Sequence, residues 1–131
     1  MGYEHLLSPG SIGKVVIRNR VVLPPLEVGM ASFDGTPSEQ LINYYEERAR
    51  GGLGLIITGI TRVNERHGAG LPRQLAMSSD RHIAPFARMV ERVHGQGAKL
   101  FCQLHHPGRQ SNSLMIGMVE LAEQLGSLAM H

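Results

Sequence analysis

Tryptophan is absent from this chain, cysteine occurs once, and aromatic residues make up only 5% of it. The lone thiol, Cys102, cannot close an internal disulfide or build a zinc site of the multi-cysteine kind, and redox work by paired thiols is excluded. No stretch approaches the roughly eighteen uninterrupted apolar residues of a membrane span. The opening Met1-Gly2-Tyr3-Glu4-His5 lacks the basic and apolar regions of a secretory signal and the usual myristoylation pattern, so a cytoplasmic location is the expectation. The formal charge of +2 comes from scattered Lys and Arg rather than from a block of one sign. Solvated surface, and no nucleic-acid partner, follow from that distribution. Both standard phosphate-cradling motifs are missing as well. No G-x-G-x-x-G turn follows the first strand-like run, since Gly51, Gly52 and Gly54 precede the second one, and there is no Walker motif.

What remains is 131 residues, 42% apolar and 18% charged, enough for one ordinary domain with a real core. Ile12 to Ile17 reads as a short hairpin, with turn chemistry beside a β-branched run. Val21-Val22-Leu23 is a continuous apolar run, the mark of a strand covered on both faces, and Pro24-Pro25 stop it because proline cannot donate to a ladder. Thr36-Pro37-Ser38-Glu39 has the form of a capping box with proline at the first helical position. A helix is expected from there to about Arg50, with Leu41, Ile42, Tyr45 and Ala49 at helical spacing and Gly51-Gly52 as its stop. Leu53 to Thr58 forms a second apolar run, ending at Gly59. Thr61 to Ser79, with Gly68, Gly70 and Pro72, is then a loop after a strand, where functional loops sit. Ser79-Asp80 can cap a second helix beginning near Arg81, with Pro85 in its first turn and Ile83, Phe86, Ala87, Val90, Val93 and His94 in rhythm. Gly95-Gln96-Gly97 ends it, and Lys99 to Leu104 makes a third strand. Strands alternating with helices of this length require right-handed crossovers and a parallel sheet covered by helices, an α/β architecture.

Four stretches then read together. They are Ile12-Gly13-Lys14 with Asn19 through Leu26, Tyr44 through Gly52, Gly54-Leu55-Ile56-Ile57, and Gly97-Ala98-Lys99 with Gln103-Leu104-His105-His106-Pro107-Gly108-Arg109. In this order, across residues 6 to 110, they resemble the N-terminal half of the Old Yellow Enzyme family of FMN-dependent NAD(P)H oxidoreductases. The resemblance implies a partial TIM (β/α)8 barrel, its first three βα units preceded by the hairpin. Residues 1–110 would form the barrel part and residues 111–131 a divergent helical tail, with Met118 to Leu125 amphipathic and standing where a third barrel helix belongs. It further implies FMN across the C-terminal strand ends, NADH or NADPH as hydride donor, and an electron-poor alkene or related small molecule as acceptor. Residue by residue, Pro25, Leu26 and Glu27 after the first strand map beside the flavin ring. Ile60, with Gly59 next to it, approaches by its backbone, and Gln103 maps to the pyrimidine edge.

The chemistry of those residue types agrees with the roles. A flavin site needs an apolar wall and a few fixed donors and acceptors, and a glutamine amide carries both. Glu27 departs from the family's usual residue there. A carboxylate aimed at the ring would lower the flavin's reduction potential, whereas one turned to solvent would do nothing. His105-His106 is not expected to bind a metal, because neighbours on a strand point to opposite faces and no carboxylate stands at ligand spacing. His106-Pro107-Gly108-Arg109 reads as loop architecture, with an anion at Arg109 as the rival reading. Cys102 should pack under a helix, and Tyr44 and Tyr45 should pack helix against barrel.

A complete barrel takes roughly 250 residues. The family's substrate-anchoring histidine pair, its tyrosine proton donor and its phosphate-binding loops have no counterpart here, so catalytic residues stay unassigned. Three strands alone would expose sheet edges, which makes self-association or a partner chain completing the barrel an expectation. Two rival functions stand beside the flavin enzyme: a non-catalytic assembly module derived from a barrel, and a flavin-independent half-barrel enzyme.

Overall fold

Local sequence chemistry sets the element order. In a computed structural model that describes residues 2–115 and 117, Glu4–Leu7 forms one helical turn, α1, and the hairpin follows. Its strands β1 (Gly10–Ile12) and β2 (Val15–Ile17) pair antiparallel. Next come β3 (Val22–Leu23), α2 (Glu39–Arg50), β4 (Leu55–Arg62), a short β5 (Leu75–Ala76), α3 (Ile83–Gly95) and β6 (Lys99–His105). Single 3-10 turns stand at Asp80–His82 and Gly108–Gln110.

β4 is the centre of a parallel sheet, with β3 beside its first two residues, β5 beside its last two and β6 along its length. Each βα crossover returns the chain to the same face. Leu23, Ile56, Leu100 and Cys102 meet Leu41, Ile42, Tyr45, Ala49, Phe86, Met89 and Val93 of the helices in one core. Each large aliphatic side chain buried there contributes about 1.5–3 kcal/mol. The opposite face carries the alternate residues, and ladder partners lie level across it: Leu55 with Lys99, Ile57 with Phe101, Ile60 with Gln103, Arg62 with His105. Below, Arg18 donates to the carbonyls of Ala49, Leu53 and Gln96, where the two helices end and β4 begins.

Several sequence expectations need correction. Ser38, not Thr36, caps α2: its hydroxyl accepts from the Leu41 amide at 3.1 Å, while the Thr36 amide and hydroxyl both turn to Asp34. The second strand does not stop at Gly59 but runs on to Arg62, and β5 interrupts the loop that follows. Between Ile57 and Ile60 the register slips, so that β4 carries one residue more than β6. That is a bulge, and Thr58 fills it by accepting the Gln103 amide at 3.2 Å. Ser79 does not cap the backbone of the next turn; its hydroxyl meets His82 Nδ1 instead. Of the α3 residues picked by spacing, Phe86 and Val93 are buried with Met89, but Ile83 is 64% exposed. The proposed helix over 118–125 lies outside the described residues.

Candidate functional site at the strand ends

In a parallel sheet the C-terminal strand ends form the natural ligand-binding rim, because loops leave there and amides are not yet committed to helices. The residues singled out from sequence fall on this rim. Pro25 and Leu26 are exposed just after β3, and the chain at Leu26-Glu27 runs hard against Gly59 of β4. A Cβ at Gly59 would stand 2.8 Å from the Leu26 carbonyl oxygen and 2.9 Å from Glu27 Oε2, so only glycine permits this approach. Ile60 follows the bulge and lies level with Gln103 on the face turned away from the helices. Gln103 is half-buried, and among the described residues its carboxamide makes no hydrogen bond within the protein. Its backbone is pinned by Thr58 while its side chain stays uncommitted.

Glu27 does not stand free in solvent. Oε1 accepts the Gly29 amide at 2.9 Å, and Oε2 is buried with no hydrogen-bond partner. Burial pushes its carboxyl above the ordinary range, only partly offset by the amides of Gly29 and Val28. Behind Gly59, the Tyr45 hydroxyl accepts the Gly59 amide at 3.1 Å. Burial, with smaller repulsion from the nearby Glu27 carboxylate, raises the Tyr45 phenol to about 12, although the Gly59 amide works against the rise.

Arg62 escaped the sequence reading, and His105 was weighed there only as a metal ligand. His105 shares the Gln103 face by strand alternation, and its Nδ1 is buried without a partner. The same alternation rule, applied for polarity rather than for metal ligands, would have found it. Arg62 sits one row beyond Ile60 and is only 1% exposed. Its Glu65 partner is held ionised: burial raises that carboxyl, but the Ser78 hydroxyl and the Arg62 and Arg81 guanidiniums outweigh it and leave it below the ordinary value.

The remaining candidates are elsewhere. His106 Nδ1 accepts the Gly108 amide at 3.1 Å and so shapes its loop, and Arg109 is exposed. Cys102 lies on the helix side with the core, Tyr45 is in that core, and Tyr44 lies beneath the Arg48 guanidinium, 3.3 Å from ring centroid to carbon. No group of three metal-ligating side chains comes together among the described residues.

Comparison with known proteins adds to this geometry. The profile of the NADH:flavin oxidoreductase / NADH oxidase family matches residues 5–120. The NADH oxidase of Thermoanaerobacter brockii is 46% identical over 109 residues, 83% of this chain and 17% of that protein. The cinnamate reductase of Clostridium sporogenes is 41% identical over 125 residues, 92% of this chain and 19% of that protein. Among solved structures, the old yellow enzyme homologue from Zymomonas mobilis superposes with a TM-score of 0.77 at 32% identity, over 86% of this chain and 31% of that one. Morphinone reductase in complex with tetrahydroNAD gives 0.74 at 30% identity, over 84% and 29%. The chain thus spans between 17% and 31% of the length of these relatives.

Proposed function

We propose that this chain, which belongs to the NADH:flavin oxidoreductase / NADH oxidase family, supplies one wall of an FMN site in an enzyme that moves hydride from NADH or NADPH to an electron-poor alkene or related small molecule. The uncommitted carboxamide of Gln103 carries the reading, standing on the open face at the strand ends beside the apolar Ile57–Phe101 row. A polar ring edge needs a donor and an acceptor in one plane, and a glutamine pinned at its backbone provides both. Bound FMN would supply the hydride chemistry. The chain's own residues would position it: Pro25 and Leu26 along one side, the Gly59-Ile60 backbone below, Gln103 at the polar edge, with Glu27 and His105 as neighbouring titratable groups.

In this reading further strands complete the barrel, since the chain spans only 17% of the Thermoanaerobacter brockii NADH oxidase and 31% of the Zymomonas mobilis homologue. We place their junction at the outer edge of β6 and at the apolar groove of about 340 Å³ between α3 and β6, lined among others by Ile83, Val90, Leu100 and Cys102. Those strands would come from more of the same polypeptide, from a second copy or from a partner chain. Among the described residues no helix is long and apolar enough to cross a membrane, and a cytoplasmic location goes with this reading.

The direct test is the flavin itself. The purified chain is expected to bind FMN, with flavin absorbance and quenched fluorescence, and Gln103→Leu should weaken binding roughly tenfold, the worth of one or two hydrogen bonds. No flavin binding by the chain would favour the assembly-module or flavin-independent readings instead.

A further inference from the structure

Arg62 is the most deeply buried charge in the described structure, and stability alone does not explain it. Its Nη1 donates to the Gln74 carbonyl at 3.0 Å, its Nη2 to the Asp34 carbonyl at 3.2 Å, and Nε and Nη2 together to Glu65 Oε2 at 3.2 and 3.1 Å. One guanidinium therefore joins three places: the end of β4, the loop from β3 to α2, and the loop from β4 to β5. Glu65 extends the network to the Ser78 hydroxyl and to Arg81, and His82 Nε2 closes on the Asp34 carbonyl at 3.3 Å. The fit is tight. At Gly35, where φ is 86°, a Cβ would stand 3.0 Å from Arg62 Nη2 and 2.4 Å from the Ala76 Cβ.

A second arginine grips the same loop. Arg73 donates to the Ala31 carbonyl at 2.7 Å and receives the Ala31 amide through its own carbonyl, although this requires a left-handed backbone at φ 53°. Non-glycine residues seldom adopt that region, and it is tolerated only where the surroundings impose it. Burying an arginine–carboxylate pair is expensive, and apolar replacements are commonly as stable. What apolar side chains cannot do is fix two loop carbonyls to one strand in a set geometry.

Arg62 lies one row beyond the Ile60–Gln103 row, on the same face, and the loop it holds begins at Leu26-Glu27. We propose that Arg62 is a positioning residue, a buried clasp that sets the distance between the loop after β3 and the Gln103 row before a flat ligand enters. The ligand's identity rests on the FMN reading above, whereas the clasp itself does not.

Two readouts on the full chain test this separately: FMN affinity by fluorescence quenching, and tryptic cleavage at the exposed Arg66. Arg62→Met with Glu65→Met removes both charges at similar volume. It should lower the thermal unfolding midpoint modestly, because the buried Gln74 carbonyl loses its donor, yet well below that midpoint weaken FMN roughly tenfold and speed cleavage at Arg66 by a similar factor. Arg62→Lys, which keeps the charge without the planar fork, should recover part of both losses. Parental affinity and parental cleavage rate in the double variant would overturn the clasp. Should the double variant not fold, Arg62→Lys alone decides: behaviour matching the parent in both readouts overturns the proposal, and looser binding with faster cleavage supports it. Absence of FMN binding by the parent removes the cofactor reading and leaves the cleavage rates to judge the clasp.

Discussion

At the scale of single residues, Glu27 is where charge and cofactor would meet. Its raised carboxyl pKa, caused mainly by burial, means that ionisation sets in above the ordinary 4.5. With FMN bound, Glu27→Gln should raise the flavin midpoint potential at neutral pH, because a negative charge near the ring disfavours the reduced anion. The difference between parent and variant should shrink as pH falls through the Glu27 pKa and the parent becomes neutral too. Spectroelectrochemistry across pH measures both, and equal potentials at neutral pH would take Glu27 out of the tuning role. Sequence alone could name Glu27 and Gln103 but not their states. The Gly29 amide that holds one carboxyl oxygen and the Gly59 surface that covers the other come from different segments. Arg62 was invisible for a related reason: a charged residue ending a strand reads as solvated, and only the folded loops show that it is sealed in.

At the scale of elements, the joint between α2 and β4 hangs on Tyr45. Tyr45→Phe keeps the ring in the core but leaves the Gly59 amide without its acceptor, which should cost about 1–3 kcal/mol in denaturant unfolding. The alkaline limb also changes. Because the folded phenol is raised from 10.0 to about 12, its contribution is fully present below 10.0 and is lost as pH rises through about 12. The phenylalanine variant should lack that step. The loop network works in the opposite sense. Glu65 is held below the ordinary 4.5, so its stabilisation is present above that value and is lost as pH falls through the lower folded pKa. Glu65→Gln should therefore be less stable than the parent at neutral pH, with the gap closing in acid; a gap independent of pH would remove ion pairing as its cause. The elements themselves were legible wherever one local signal dominated, as in the apolar runs of β3, β4 and β6 and the glycine stops after both helices. They were not legible where two signals competed. Thr36 and Ser38 both offer a capping hydroxyl, and the choice fell to Ser38 because Asp34 takes Thr36 and the Met30 carbonyl takes the Ser38 proton. The bulge at Thr58-Gly59 leaves no sequence mark other than the glycine, since its reason is the crossing of Leu26.

At the scale of the whole molecule, the described helices lie on one side of the parallel sheet, and its β6 flank carries an apolar groove. Cys102 lines that groove and is the chain's single thiol, which makes it a clean reporter of whether the groove is filled. Thiol labelling needs access to the sulfur, so a covering surface slows it in proportion to the covered fraction. If copies of the chain complete one another through this flank, the labelling rate should fall as protein concentration rises, in step with the mass seen by light scattering. Cys102→Ser supplies the blank for the reagent. A rising mass with an unchanged rate would place the association on another surface, such as the exposed hairpin residues Ile12 and Val16. A rate slow at every dilution, with a constant monomer mass, would mean that the chain covers the groove by itself.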